Sequence, residues 1–441
     1  MMDAIEKTKK IDEEYNYLTY ISEDIKGSEG RLEGIYITVK DCICVKDTPT
    51  QSSSRILEGY KPLFDATVIE KVKAEGGMIL GKTVQDEFGF GGFSNNVGLG
   101  FKRPLNPFDK ERSTGGSSGG SGGFSQAADF PHVSLGESTG GSIVSPASLC
   151  GVYGLCPTYG RVSRYGLLDY ANSLDKIGPM SKDLNSLALV QEVISGHDAK
   201  ESTSIDAPVP KYTEEIGKDI KGMKIALIKE GFGEGIDPEV AEIVRKKAKE
   251  LEEAGAIVEE VSLPLAYGVG LSTYYIIAQS ESSTNLAKFC GMRYGATEKL
   301  EGSFNEYFSK VRSTHFGKEA KRRILLGTFT RMVGFRDAYY VKAMKVRTKI
   351  IEEYKKAFSK YDALVSPAVP YVAPRFDELE KMSLLETYMA DVLTVGPNLA
   401  GLPHLNCPAG FSKSLPVGLM LVGDHLEEGR LIRIGSHIKN D

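Results

Sequence analysis

Ser113-Thr114-Gly115-Gly116-Ser117-Ser118-Gly119-Gly120-Ser121 and, after a short bridge, Ser138-Thr139-Gly140-Gly141-Ser142 decide how the whole chain is read. Glycine lets a backbone take positive φ and approach another group closely, at an entropic cost. Gly/Ser runs are usually flexible linkers. Here the second cluster runs straight into Ile143-Val144 and Pro146-Ala147-Ser148-Leu149, apolar and small residues that a linker would not carry. A phosphate-cradling loop needs a lysine after its glycines or a G-x-G-x-x-G turn between strand and helix. Neither cluster is followed by that lysine. What remains is a site where backbone N–H groups and serine hydroxyls face a small polar substrate.

Outward from this stretch, strand and helix patterns alternate. Gly34 to Ile43 reads as a buried strand carrying Lys40, Asp65 to Ala74 as an amphipathic helix, and Met78 to Thr83 as a second strand. The bland reading of Lys40 is a strand-end lysine snorkelling to water. Phe88 to Leu99 reads as a shaped loop, Gly122 to Ala128 as a tightly packed helix and His132 to Leu135 as a strand. Further on, Lys224 to Ile228, Ile257 to Val261, Ala363 to Pro367 and Val417 to Gly423 read as strands. Asp183 to Ile194, Asp237 to Ala254, Thr273 to Leu286, Lys318 to Leu326, Asp337 to Lys360, Leu384 to Leu393 and Glu427 to His437 read as helices. The pattern is α/β, a single large domain over 1–441 with a central mixed β-sheet flanked by helices.

The 441 residues carry a net charge of −5 and a hydrophobic fraction of 41%, ordinary for a globular chain that does not grip nucleic acid by itself. No apolar run is long enough to cross a bilayer, and the charged N-terminus lacks a signal core, so a cytoplasmic protein is expected. The six cysteines form no C-x-x-C and match no zinc pattern, so no metal site is expected. His404 stands out among the histidines and reads as structural.

Gly115 to Ser121 followed by Gly140-Gly141-Ser142-Ile143 resembles the amidase signature family, which hydrolyses amides with a Ser–cis-Ser–Lys triad. Ser118 and Ser142 lie 24 positions apart (142 minus 118), the family's spacing, and Thr38-Val39-Lys40-Asp41 matches its lysine strand. The resemblance implies Ser142 as nucleophile, Ser118 as bridging serine, Lys40 as base, and a cis peptide between Ser117 and Ser118. Backbone N–H groups of Thr139, Gly140, Gly141 and Ser142 would form the oxyanion hole. The chemistry is coherent, because a serine hydroxyl needs a base and, with no histidine motif, a neutral lysine is the remaining candidate.

Pro157 to Ser163, Ser173 to Pro179, Lys321 to Thr328, Asp337-Ala338-Tyr339-Tyr340 and Asn398 to Pro403 are similar to one branch, the A subunits of tRNA-dependent amidotransferases. That branch releases ammonia from glutamine for the conversion of Glu-tRNA(Gln) or Asp-tRNA(Asn). A B subunit binds the tRNA and activates its carboxylate with ATP and Mg, and a small C subunit ties the two together in a heterotrimer. The chain itself would need no cofactor. By match, Arg323 would hold the glutamine α-carboxylate, Asp391 its ammonium, and Tyr274 would line the pocket. The chain departs from the family at Ser138, where an acidic residue is usual, and at Val144-Ser145, where Arg-Gln is usual. A stand-alone amidase acting on another small amide, or a divergent low-activity subunit of the same complex, are the alternative readings.

Overall fold

A computed structural model describes residues 2–23 and 25–439. Eleven strands among the described residues form one mixed sheet. In chain order they are β1 (Leu18–Ile21), β2 (Tyr36–Lys40), β3 (Met78–Thr83), β4 (His132–Ser138), β5 (Tyr153–Cys156), β6 (Lys176–Ser181), β7 (Lys224–Ile228), β8 (Ile257–Val261), β9 (Ala363–Pro367), β10 (His404–Ser412) and β11 (Leu415–Val422). Their spatial order is β1-β3-β2-β4-β6-β5-β10-β11-β9-β7-β8. Helices cover the sheet, as the α/β reading expects, and none is long and apolar enough to cross a membrane among the described residues.

The strand that carries Lys40 is central to one half of the sheet. β2 runs parallel to both β3 and β4. Successive side chains on a strand point to opposite faces. Ile37 and Val39 enter an apolar cluster with Val133, Leu135 and Ile177. Thr38 turns to the other face, where its hydroxyl lies 2.6 Å from that of Ser134. Lys40, two residues on, points to the same side as Thr38 and is fully buried. It does not snorkel to water, contrary to the bland expectation, because the helix Gly119–Ala127 packs over that face.

That helix starts three residues earlier than the sequence pattern gives, inside the first glycine cluster. Five of its nine residues are glycine or alanine, and close approach explains them: a Cβ on Gly120 would lie 2.6 Å from the carbonyl oxygens of Tyr17 and Val84. The helix after β8 also starts earlier, at Pro264 rather than Thr273, with the proline in its first turn. Four strands had no counterpart in the sequence reading: β1, β5, β6 and β10.

Candidate active site

Lys40 is the hub. Its Nζ donates to Ser117 Oγ at 2.8 Å, to the Glu137 carbonyl at 2.9 Å and to Glu137 Oε2 at 2.8 Å. All of these partners are buried. The serine that meets the lysine is therefore Ser117, and the expected Ser118 is corrected. Ser118 occupies the N-cap position of the helix Gly119–Ala127, and its Oγ donates to the Glu137 carbonyl at 3.0 Å. It shares an acceptor with Lys40 without touching it. The nucleophile-to-bridge spacing is 25 (142 minus 117), one more than the family spacing that selected Ser118. The cis peptide likewise lies between Gly116 and Ser117, not between Ser117 and Ser118. Gly116 is required there, since a Cβ would fall 2.4 Å from Asp86 Oδ2 and 2.6 Å from the Ser94 nitrogen.

Ser142 follows β4 at the start of a turn that leads into the helix Val144–Leu149. It is 7% exposed, and no side chain among the described residues hydrogen-bonds its hydroxyl. The loop before it is pinned from two sides. Thr394 Oγ1 donates to the Gly140 carbonyl at 2.6 Å. Thr139 Oγ1 lies 2.7 Å from Glu137 Oε1 and 2.8 Å from Asp175 Oδ1. Gly140 is needed because a Cβ would meet Tyr274 Cζ at 2.4 Å. Holding this backbone rigid is what a set of oxyanion donors requires. The two departures flagged in the sequence sit beside it: Ser138 Oγ is buried with no hydrogen-bond partner, and Val144 is fully buried.

Tyr274 packs on Gly140 of this loop, and Arg323 and Asp391 both meet the neighbouring Tyr275. The helix Lys318–Arg331 carries Arg323, whose Nε donates to Glu319 Oε1 at 2.9 Å and whose Nη1 donates to the Tyr170 hydroxyl at 2.6 Å. Rings of Phe90, Tyr170, Tyr275 and Tyr388 surround the guanidinium within 5.8 Å. Asp391 accepts from the Tyr275 hydroxyl at 2.8 Å. Burial raises the Asp391 carboxyl above the usual range, against the lowering effect of Tyr275 and Arg323. A cavity of about 390 Å³ opens onto Arg323, Glu319, Tyr275, Gly92 and Phe93; Ser142, Ser117 and Lys40 are not part of its wall. Tyr274 sits between the two groups, against Gly140 on one side and the Tyr275 ring on the other.

Sequence reasoning missed Ser117, Glu137, Tyr170, Asp175, Tyr275 and Glu319. Glu137 had a visible signal, being the only ionisable residue from His132 to Ser142 besides His132 itself. Glu319 also had one, lying four residues before Arg323 on one helix face. His404 is structural, as read: its Nδ1 lies 3.1 Å from the Leu402 carbonyl, and burial holds the ring well below its usual range.

The amidase family model matches residues 2–432. The glutamyl-tRNA(Gln) amidotransferase A subunit from Heliobacterium modesticaldum is 45% identical over 92% of this chain and 82% of its own length. Its counterpart from Halothermothrix orenii is 46% identical over 96% of this chain and 90% of its own length. The crystal structure of the corresponding A subunit from Thermotoga maritima superposes with a TM-score of 0.84 at 37% identity, covering 98% of this chain and 89% of that one. A buried lysine on a serine, a pinned glycine loop before a second serine, and likeness along almost the whole length lead to one conclusion: this chain belongs to the amidase family, in the group of the glutamyl-tRNA(Gln) amidotransferase A subunits.

Proposed function

We propose that the chain is the glutaminase subunit of a tRNA-dependent amidotransferase, releasing ammonia from glutamine for the amidation of Glu-tRNA(Gln) or Asp-tRNA(Asn). The observation that carries this is the Lys40–Ser117 hydrogen bond beside the Thr139–Ser142 loop, with Arg323 and Asp391 grouped next to it. Lys40 as the free amine draws the Ser117 proton, and Ser117 draws that of Ser142. Ser142 Oγ then bonds the amide carbon, and the carbonyl electron pair moves onto oxygen among the loop N–H groups. The proton returns through Ser117 to the leaving nitrogen as the C–N bond breaks, and ammonia departs. Water repeats the sequence on the acyl-serine and frees glutamate.

The partners in this proposal are a tRNA-binding B subunit that uses ATP and Mg and a small C subunit, in a cytoplasmic heterotrimer. This chain supplies no cofactor and meets tRNA only through the B subunit. The test is ammonia release from glutamine by the purified chain, alone and with the two partner subunits, ATP and mischarged tRNA. Release that rises when the partners and mischarged tRNA are present supports the reading. Faster turnover of simple aliphatic amides than of glutamine, indifferent to partners, overturns it.

Arg323 gives a second check. In the proposed pose its N–H groups not used by Glu319 and Tyr170 meet the α-carboxylate. Hydrogen bonds to charged groups contribute roughly 1.5–3 kcal/mol. Arg323→Gln should therefore raise KM for glutamine about 10- to 100-fold while kcat changes less. Propionamide hydrolysis, measured in parallel, should be affected far less.

A further inference from the structure

Glu137 introduces a carboxylate into the serine–lysine relay, and the geometry around it is closed. Its Oε2 takes Lys40 Nζ at 2.8 Å in an ion pair with both side chains buried. Its Oε1 faces Thr139 Oγ1 at 2.7 Å, and that hydroxyl also faces Asp175 Oδ1 at 2.8 Å. A threonine hydroxyl has one proton to donate. Two carboxylate oxygens at hydrogen-bond distance from it require that one of the two acids be protonated. Burial and the neighbouring Glu137 push the Asp175 carboxyl well above the usual range, opposed by the N–H groups of Tyr170 and Ala171 that it accepts. Of the two acids, Glu137 is the one that faces a counter-ion, Lys40.

The other charged groups around Lys40 are already engaged. Asp41, next on the chain, lies 3.8 Å from Lys82 of β3 and accepts the Ser53 N–H at 2.7 Å. Asp86, after β3, accepts the N–H groups of Ser94 and Asn96, and burial raises its carboxyl to about 6. Burial pushes the Cys42 thiol well up, so it stays neutral. Glu137 is the one carboxylate hydrogen-bonded to Lys40 among the described residues.

We propose that Glu137 is a positioning residue that holds Lys40 as an ammonium ion, so that the relay to Ser142 opens only when that ammonium loses its proton to solvent base. An opposite charge at hydrogen-bond distance favours the charged form of a lysine. An ammonium has no lone pair with which to take the Ser117 proton. The pair therefore fixes the lysine on its serine and sets a negative charge against the amine that must be neutral to act. This rests on the Ser142–Ser117–Lys40 reading above and adds to it a determinant of its pH range.

The experiment compares wild type, Glu137→Gln and Glu137→Asp by two rates across the neutral-to-alkaline range: glutamine hydrolysis, and sulfonylation of Ser142 by phenylmethanesulfonyl fluoride. The amide oxygen of Gln can still accept from Lys40 Nζ but carries no charge. The acid limb of both rates should move down by about one pH unit or more in Glu137→Gln, which is about tenfold faster reaction at a fixed pH on the limb. Glu137→Asp, with its carboxylate drawn back, should move the limb less in the same direction. A limb that coincides with wild type, or lies at higher pH, overturns the proposal. Should Glu137→Gln fail to fold, the direction in which the Asp variant moves the limb decides in the same way. If no variant hydrolyses glutamine but the sulfonylation limb still moves, the glutaminase reading falls and the assignment of Glu137 stands.

Discussion

Ser142→Ala lowers glutamine hydrolysis roughly ten-thousand- to million-fold, the range found when the nucleophile of a serine relay is removed. The chain stays folded, because the Ser142 hydroxyl has no hydrogen-bond partner to lose among the described residues and the side chain is almost wholly shielded. Its removal leaves no orphaned group and a negligible cavity, so stability should change by less than about 1 kcal/mol. The decisive form of the measurement uses the assembled complex with its partner subunits. Glutamine-dependent amidation of mischarged tRNA disappears, while amidation fed by added ammonium salt continues at close to its normal rate. Loss of both would mean that Ser142 acts in assembly or folding. Retention of both would mean that the chain is a scaffold whose serine does no chemistry.

The sheet was readable where strands are built from β-branched and apolar residues. β2, β3, β7 and β8 lie within a few residues of their expected spans because β-branched and other apolar residues make up most of each. β6 and β10 escaped notice because they contain proline and glycine. Pro179 sits inside β6 and Pro408 inside β10, and a proline normally argues against a strand interior. The register of β10 shifts between Pro408 and Gly410, the kind of bulge that accommodates such residues. The helix Gly119–Ala127 poses the opposite problem. Its glycines have poor intrinsic helix propensity, and only the close approach of Tyr17, Val84, Ser94, Thr114 and Pro146 explains them.

The site was legible in its residue types and blurred in its directions. Lys40, Ser142 and the glycine loop could be named from the pattern, and Arg323 and Asp391 do gather around Tyr275. What a pattern of letters does not carry is where each side chain points. Tyr274 and Tyr275 are neighbours in sequence, yet Tyr275 bonds Asp391 while Tyr274 packs on Gly140. The same one-residue ambiguity put the serine that hydrogen-bonds Lys40 at 117 rather than 118.

Two substitutions settle that last point, and their contrast is large. Ser117→Ala removes the only side-chain link from Lys40 toward the nucleophile among the described residues. Lys40 then keeps Glu137 as its partner but has no route to the Ser142 proton, except through a water that would take the vacated hydroxyl's place. General acid–base relays contribute roughly a hundred- to ten-thousand-fold, so kcat for glutamine should fall by that factor with KM little changed. Ser118→Ala deletes one hydrogen bond to a carbonyl that Lys40 already occupies at 2.9 Å. A typical net contribution of such a bond is about 1 kcal/mol, felt in stability, and kcat should stay within about tenfold of wild type. Steady-state kinetics of the two variants side by side give the answer. A larger loss of kcat in Ser118→Ala than in Ser117→Ala would restore the 24-residue spacing and displace Ser117 from the relay. The opposite order would leave Ser117 as the serine between Lys40 and Ser142, as its 2.8 Å hydrogen bond to the lysine suggests.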